Sequence, residues 1–303
     1  MLFQIFSIMF PVLAIVLVGL IWGRVKKPDA NFVSSLGVFL LGPCLYFNNI
    51  ISTKVENSVL FKEFFYFFLL TAILFVIIFI ICKFILKYSF EKIASVVTAV
   101  SFPNSGNLGI PVALLTFGED AVIYCVVCAF IQSLMINTFC VYTISKSKYS
   151  VKQSIINVLK MPGFWAILIA MSLRVADIPV PDMILTPIKM IGQASPPIML
   201  LLLGIQLSNS RARQKGNLSF LSITLIGKYL LYPLLSVLLI PLFFNPDTIA
   251  AKMIFMCSFF PTAVAASVMV LKIDPENELV PAATLATNIL ALIMVPVALT
   301  FIL

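Results

Sequence analysis

Apolar residues fall in long runs separated by short polar or basic clusters. Most runs approach the ~20 residues that a helix needs to cross a ~30 Å hydrocarbon core. The pattern predicts ten spans, at 3–22, 32–50, 64–85, 93–117, 122–145, 164–175, 183–207, 218–244, from 249 onward, and 279–303. The first opens on Met-Leu-Phe-Gln, without the basic start of a signal peptide, and Arg24, Lys26 and Lys27 follow it. No soluble domain or long linker fits between the runs.

The fourth run is interrupted. Ser101-Phe102-Pro103-Asn104-Ser105-Gly106-Asn107-Leu108-Gly109-Ile110-Pro111 places two prolines around two glycines, two asparagines and a serine. Proline removes a backbone donor and clashes with the preceding turn, while glycine loosens the chain. A helix entering at Ile93 is therefore expected to break near Pro103 and restart near Asn107, with Pro111 as a second breaking residue. Ten residues at ~1.5 Å rise reach about the midplane, where lipid leaves freed N–H and C=O groups unsatisfied. The alternatives are a kinked helix, which needs one proline only, and a broken helix that forms a binding site.

Composition agrees with membrane burial: 61% of residues are hydrophobic and 11% charged, and mean hydropathy is +1.12. The net charge of +8 is then a matter of topology and does not call for nucleic acid. Basic residues collect in alternate loops: Arg24, Lys26 and Lys27; Lys83, Lys87 and Lys92; Lys146, Lys148, Lys152 and Lys160; Arg211, Arg213 and Lys215; and Lys272. The other side holds Lys54, Lys62, Arg174 and Lys252. The positive-inside rule predicts a multi-pass protein of the cell membrane with both termini outside. Histidine is absent, which removes the commonest metal ligand and the usual general base. No cofactor or metal is expected, and Cys125-Val-Val-Cys128 reads as packing rather than redox chemistry.

The two halves repeat. Phe102-Pro103-Asn104 has its counterpart in Phe260-Pro261-Thr262, and Gly42-Pro43 in Pro196-Pro197. Each broken run ends at acids, Glu119 and Glu276. Residues 1–145 form the first five-span repeat, 146–160 a short cytoplasmic connector and 161–303 the second repeat. An odd number of spans inverts the second repeat in the membrane. The fold class is thus an all-α integral membrane protein with broken, crossing helices four and nine, the signature of secondary transporters.

Candidate binding residues cluster at the breaks: Asn104, Ser105, Gly106 and Asn107 in the first half, Thr262 behind Pro261, and Asn288 in span ten. The half-helix starting at Asn107 favours an anion at its N-terminus, and the Asn104 amide can donate to a carboxylate. Asn104 can instead satisfy the loose carbonyls of the break. Gln132 and Asn48 either complete the pocket or bond between helices. Lys228 lies too deep in span eight to snorkel, so it meets either the substrate or freed carbonyls. All twelve acids, Glu63 included, read as loop or span-end residues, which leaves the coupling ion open. An anion channel or membrane sensor would need a continuous polar stripe through several spans. An enzyme would need a catalytic cluster; neither signal is present.

Pro103 to Pro111 resembles the broken fourth helix of the auxin efflux carrier family, which includes plant pin-formed exporters and bacterial malonate-transporter-like relatives. Gly42-Pro43 to Phe47-Asn48, Gln132, and Pro261 to Pro296 resemble its second, fifth, ninth and tenth spans. The resemblance implies a bile-acid sodium symporter-like fold. It also implies a scaffold of spans one, two, six and seven, a moving unit of the other six, and a homodimer formed through the scaffold. The substrate class it implies is small organic anions. The short connector is similar to that of bacterial members, which makes auxin itself a poor expectation.

Overall fold

The computed structural model describes residues 2–136, 138, 144, 156, 158–209, 218–274 and 276–303. Asn137, Cys140, Lys146, Lys148, Lys152, Arg211, Arg213 and Lys215, and so most of the expected connector, lie outside the described residues. The helices are α1 (Leu2–Lys26), α2 (Ala30–Ser52), α3 (Asn57–Ile85), α4 (Phe90–Ser101), α5 (Ser105–Phe117), α6 (Glu119–Met135) and α7 (Pro162–Val175). They continue with α8 (Asp182–Gln193), α9 (Ser195–Asn209), α10 (Leu218–Phe243), α11 (Ile249–Ser258), α12 (Val264–Ile273) and α13 (Leu279–Ile302). Among the described residues, six segments are long and apolar enough to cross a membrane: α1, α2, α3, the α8–α9 pair, α10 and α13. Helices α5, α7 and α11 are apolar but shorter. The 12 residues of α4 reach roughly 18 Å, well short of a hydrocarbon core.

Local chemistry sets the ends. Asp29, Ser89 and Thr248 accept backbone N–H groups at the starts of α2, α4 and α11, the usual work of an N-cap. Gly118 joins α5 to α6 at φ +83°, a conformation in which a Cβ is strained. Among the prolines inside continuous helices of the described residues, Pro43, Pro111 and Pro233 each come just after a π turn. The turns cover residues 37–41, 105–109 and 227–231, ahead of Pro43, Pro111 and Pro233. A π turn passes one carbonyl without a donor, and a proline missing its N–H is accommodated there. Pro111 is therefore not a helix break, contrary to the reading from sequence; α5 runs through it.

The chain divides into two compact units, each drawing on both halves. The first comprises Met1–Leu60, Gly106–Phe130 and Leu159–Ser210. It contains the helices expected at spans one, two, six and seven, and also residues 106–130. Here α1 packs closely on α9 through small residues four apart. A Cβ on Gly19 would lie 2.2 Å from the Leu201 carbonyl oxygen, one on Gly204 2.1 Å from that of Val16, and one on Gly23 2.1 Å from Ser208 Oγ. Such contacts hold helices together where the hydrophobic effect does not. Gly19→Ala should cost about 1–3 kcal/mol through overpacking. Thermal unfolding of the purified protein checks this, with Gly163→Ala, whose Cβ would find 3.4 Å to Tyr46, expected to melt like wild type.

Arg174, at the end of α7, is the second fastener of this unit. Its guanidinium donates to the carbonyls of Ile50 and Thr53 at 2.7 Å, to Val55 O, and to Asn57 Oδ1 at 2.6 Å. It thus saturates the carbonyls where α2 ends, a place that favours a cation.

The second unit comprises Phe61–Ser105, Ile131–Val158 and Arg211–Leu303. Phe67, Leu70, Leu74 and Ile78 form the buried seam of this part of α3. Tyr66 joins it to α10 by bonding Ser236 O at 3.1 Å and Ser236 Oγ at 2.8 Å. Glu63 corrects a sequence expectation. The helix starts at Asn57, so this acid lies inside α3 and is fully buried. Helix α10 meets α4 at Gly227, where a Cβ would come within 2.9 Å of Val100.

Candidate functional site

Helix α4 ends at Ser101, and Phe102 turns extended (φ −111°, ψ 91°). The element is broken rather than kinked. Two carbonyls lose their own donors there. Ala99 O would have been served by residue 103, a proline without N–H. Val100 O would have been served by the N–H of Asn104, which instead donates to Pro261 O at 2.7 Å. Buried carbonyls need replacements, and side chains supply both. Thr262 Oγ1 donates to Ala99 O at 2.6 Å, and Lys228 Nζ donates to Val100 O at 3.0 Å.

The second break answers the first. Ala263 N donates to Phe102 O at 2.7 Å, so Pro103 and Thr262 face each other as one antiparallel bridge. On its far side Thr262 is held by α13. Its N–H donates to Thr287 Oγ1 at 3.1 Å, and its carbonyl accepts from Asn288 Nδ2 at 3.3 Å. Asn288 Nδ2 also reaches Thr284 O at 2.7 Å. Tyr229, beside Lys228 in the π turn of α10, donates to Thr287 O at 2.6 Å. On the exit side, Ser105 N closes a tight turn onto Pro103 O at 2.9 Å. Ser105 Oγ donates to Gln132 Oε1 at 3.1 Å. The result is a cross-braced junction of two chain breaks.

Six predicted residues therefore meet in the second unit: Asn104, Ser105, Gln132, Thr262, Lys228 and Asn288. All are buried, and Lys228 is wholly enclosed. Its ammonium also lies 4.7 Å from the centre of the Tyr232 ring, an arrangement that eases a desolvated cation. Polar capacity is left over: among the described residues, Asn288 Oδ1 and Ser101 Oγ are buried and have no partner. Gly106, Asn107 and Asn48 belong to the first unit. At Gly106 a Cβ would meet nothing nearer than Ala129 at 3.9 Å and the Tyr46 hydroxyl at 4.0 Å. Asn48 accepts from Ser52 Oγ at 3.4 Å and lines a cavity of that unit.

Sequence reasoning missed Ser101, Tyr229 and Thr284. Tyr229 was signalled by its place next to a buried lysine, Thr284 only by its spacing from Asn288. Among the described residues no group of three or more Cys, Asp or Glu could hold a metal ion.

Comparison with curated proteins gives no match. The family described as membrane transport protein matches residues 4–299. Covering nearly the whole chain, that match shows that the protein belongs to the membrane transport protein family, that of the auxin efflux carriers, whose members are transporters and not enzymes.

Proposed function

We propose that the protein is a secondary carrier that moves a small organic anion by alternating access, with the substrate at the junction of the two breaks. The observation that carries this reading is the mutual completion of the breaks by Thr262, Lys228, Thr287 and Asn288. Such a junction keeps irregular backbone at depth without exposing it to lipid. It also leaves α12 starting beside it, with first-turn N–H groups lacking intrahelical acceptors. Those groups and the Asn104 amide suit a carboxylate.

In this reading the helices form ten spans in two inverted five-helix repeats, with α4–α5 and α11–α12 as the broken pair and both termini outside the cell membrane. The protein pairs with a second copy through the scaffold helices. Because the backbone ties the two breaks to each other, they hold their register as the carrier changes state.

Uptake into proteoliposomes tests the proposal. Labelled malonate, or another mono- or dicarboxylate that stabilises the purified protein, is expected to enter saturably and faster when unlabelled substrate is inside. Flux that rises linearly with concentration and ignores the trans side would mean a channel.

A further inference from the structure

We infer that the first unit carries a separate binding site for a small zwitterion, an α-amino acid with an apolar side chain. A cavity of about 290 Å³ opens between the end of α2, the α5–α6 junction and α8–α9, near the lower end of small-molecule sites at about 300–1,000 Å³. One wall holds Glu119 and Asp120, the first two residues of α6. The α8 wall holds Lys189 and Gln193, and the α2 wall Asn48 and Asn49. Its lining also includes the apolar side chains of Leu45, Ile110, Leu114 and Val122.

Acids at a helix N-terminus are ordinary, and exposed ones are usually solvated. Here two carboxylates and one ammonium line a single concavity. Among the described residues, Lys189, Glu119 and Asp120 make no hydrogen bond or ion pair with each other or with anything else. Charges of both signs that share a cavity without neutralising each other remain available to a ligand bearing both. A simple anion would face two carboxylates against one lysine. A metal cation would face the lysine and too few acid ligands. A zwitterion matches each kind of lining group: its carboxylate accepts from Lys189 and the Asn48 amide, its ammonium donates to Glu119 and Asp120, and its side chain meets the apolar residues.

The α2 wall is held ready for this. Asn49 Nδ2 is tied to Leu45 O at 2.8 Å, Ser52 to Asn48 Oδ1, and the carbonyls of Ile50 and Thr53 to Arg174. The Asn48 Nδ2 makes no bond among the described residues. A fixed wall with a spare donor lowers the ordering cost of binding.

The cavity is lined by residues of the first unit and the crossover by residues of the second, and the site is read by binding, not transport. Calorimetry on the purified full chain would use L-leucine, 3-methylbutylamine (leucine without its carboxylate) and 4-methylpentanoate (leucine without its ammonium). Leucine is expected to bind at least about tenfold more tightly than either fragment. Lys189→Gln should weaken leucine to the level of the amine, and Glu119→Gln with Asp120→Asn to the level of the acid. The same titrations in Asn104→Ala, which impairs the proposed crossover site, should keep leucine ahead of both fragments. Equal binding of 4-methylpentanoate and leucine, undiminished leucine binding in both charge variants, or no leucine binding at millimolar concentration would each overturn the site. Loss of leucine binding in Asn104→Ala would move it to the crossover.

Discussion

Asn104→Ala is expected to slow uptake about ten- to a hundredfold while leaving the protein folded. The backbone of residue 104 is fixed through its N–H on Pro261 O, a bond that alanine keeps. The carbonyls freed by the break are served by Thr262 and Lys228, so the asparagine is not needed to satisfy them. What the substitution removes is an amide with 4% exposure in the proposed substrate site. Losing a hydrogen bond to a charged ligand costs roughly 1.5–3 kcal/mol, or about ten- to a hundredfold in rate at low substrate concentration. Initial uptake rates at matched protein content, with unfolding midpoints alongside, measure it. Wild-type kinetics in the variant would remove Asn104 from the site.

Lys228→Met is expected to act on stability first. Methionine matches the stem in length and remains apolar, but Val100 O then stays buried without a donor. An orphaned carbonyl costs about 1–3 kcal/mol, and the contact with the Tyr232 ring goes as well. The unfolding midpoint should therefore fall by several degrees, and Lys228→Arg, which keeps a donor, should recover part of it. Sequence alone leaves two roles open for this lysine, partner of the substrate or brace of the break. The 3.0 Å bond to Val100 O favours the brace. A Met variant that melts like wild type yet loses affinity for a carboxylate would assign the lysine to the substrate instead.

The positions of the helices were legible because a membrane asks for length and apolarity, and both are written along the chain. The breaks were legible too, since Pro103 and Pro261 each lack an N–H in the middle of an apolar run. Their mutual repair was not, because Thr262 and Ala99 meet only in three dimensions. Glu63 was misread because its Phe-rich surroundings made the span appear to start one residue later, whereas helix α3 begins at Asn57. Pro111 was misread because a proline counts as a breaker unless the wider turn before it is foreseen. That turn does leave a trace: Gly37, Ser105 and Gly227 each stand six positions before a proline. The α1–α9 contact was written as Gly19-x-x-x-Gly23 and Gly204-x-x-x-Ser208, hidden within the apolar runs. The cavity beside α2 left no linear signal, since its walls come from distant parts of the chain.

The mutual repair of the breaks also imposes an order in time. Thr262 follows the carbonyl it satisfies, that of Ala99, by 163 positions. At about 5–20 residues per second, a ribosome needs roughly 8–30 s to make that stretch. Throughout this interval the first break has no second break to pair with, and Lys228 arrives only 128 positions after Val100. The nascent first half must therefore wait with its open carbonyls wetted or shielded by the insertion machinery. The threonine that repairs the first break lies between the last two helices made before α13, and Thr287 and Asn288, which hold it, come later still in α13, so the membrane receives an unfinished protein almost until α13 is made.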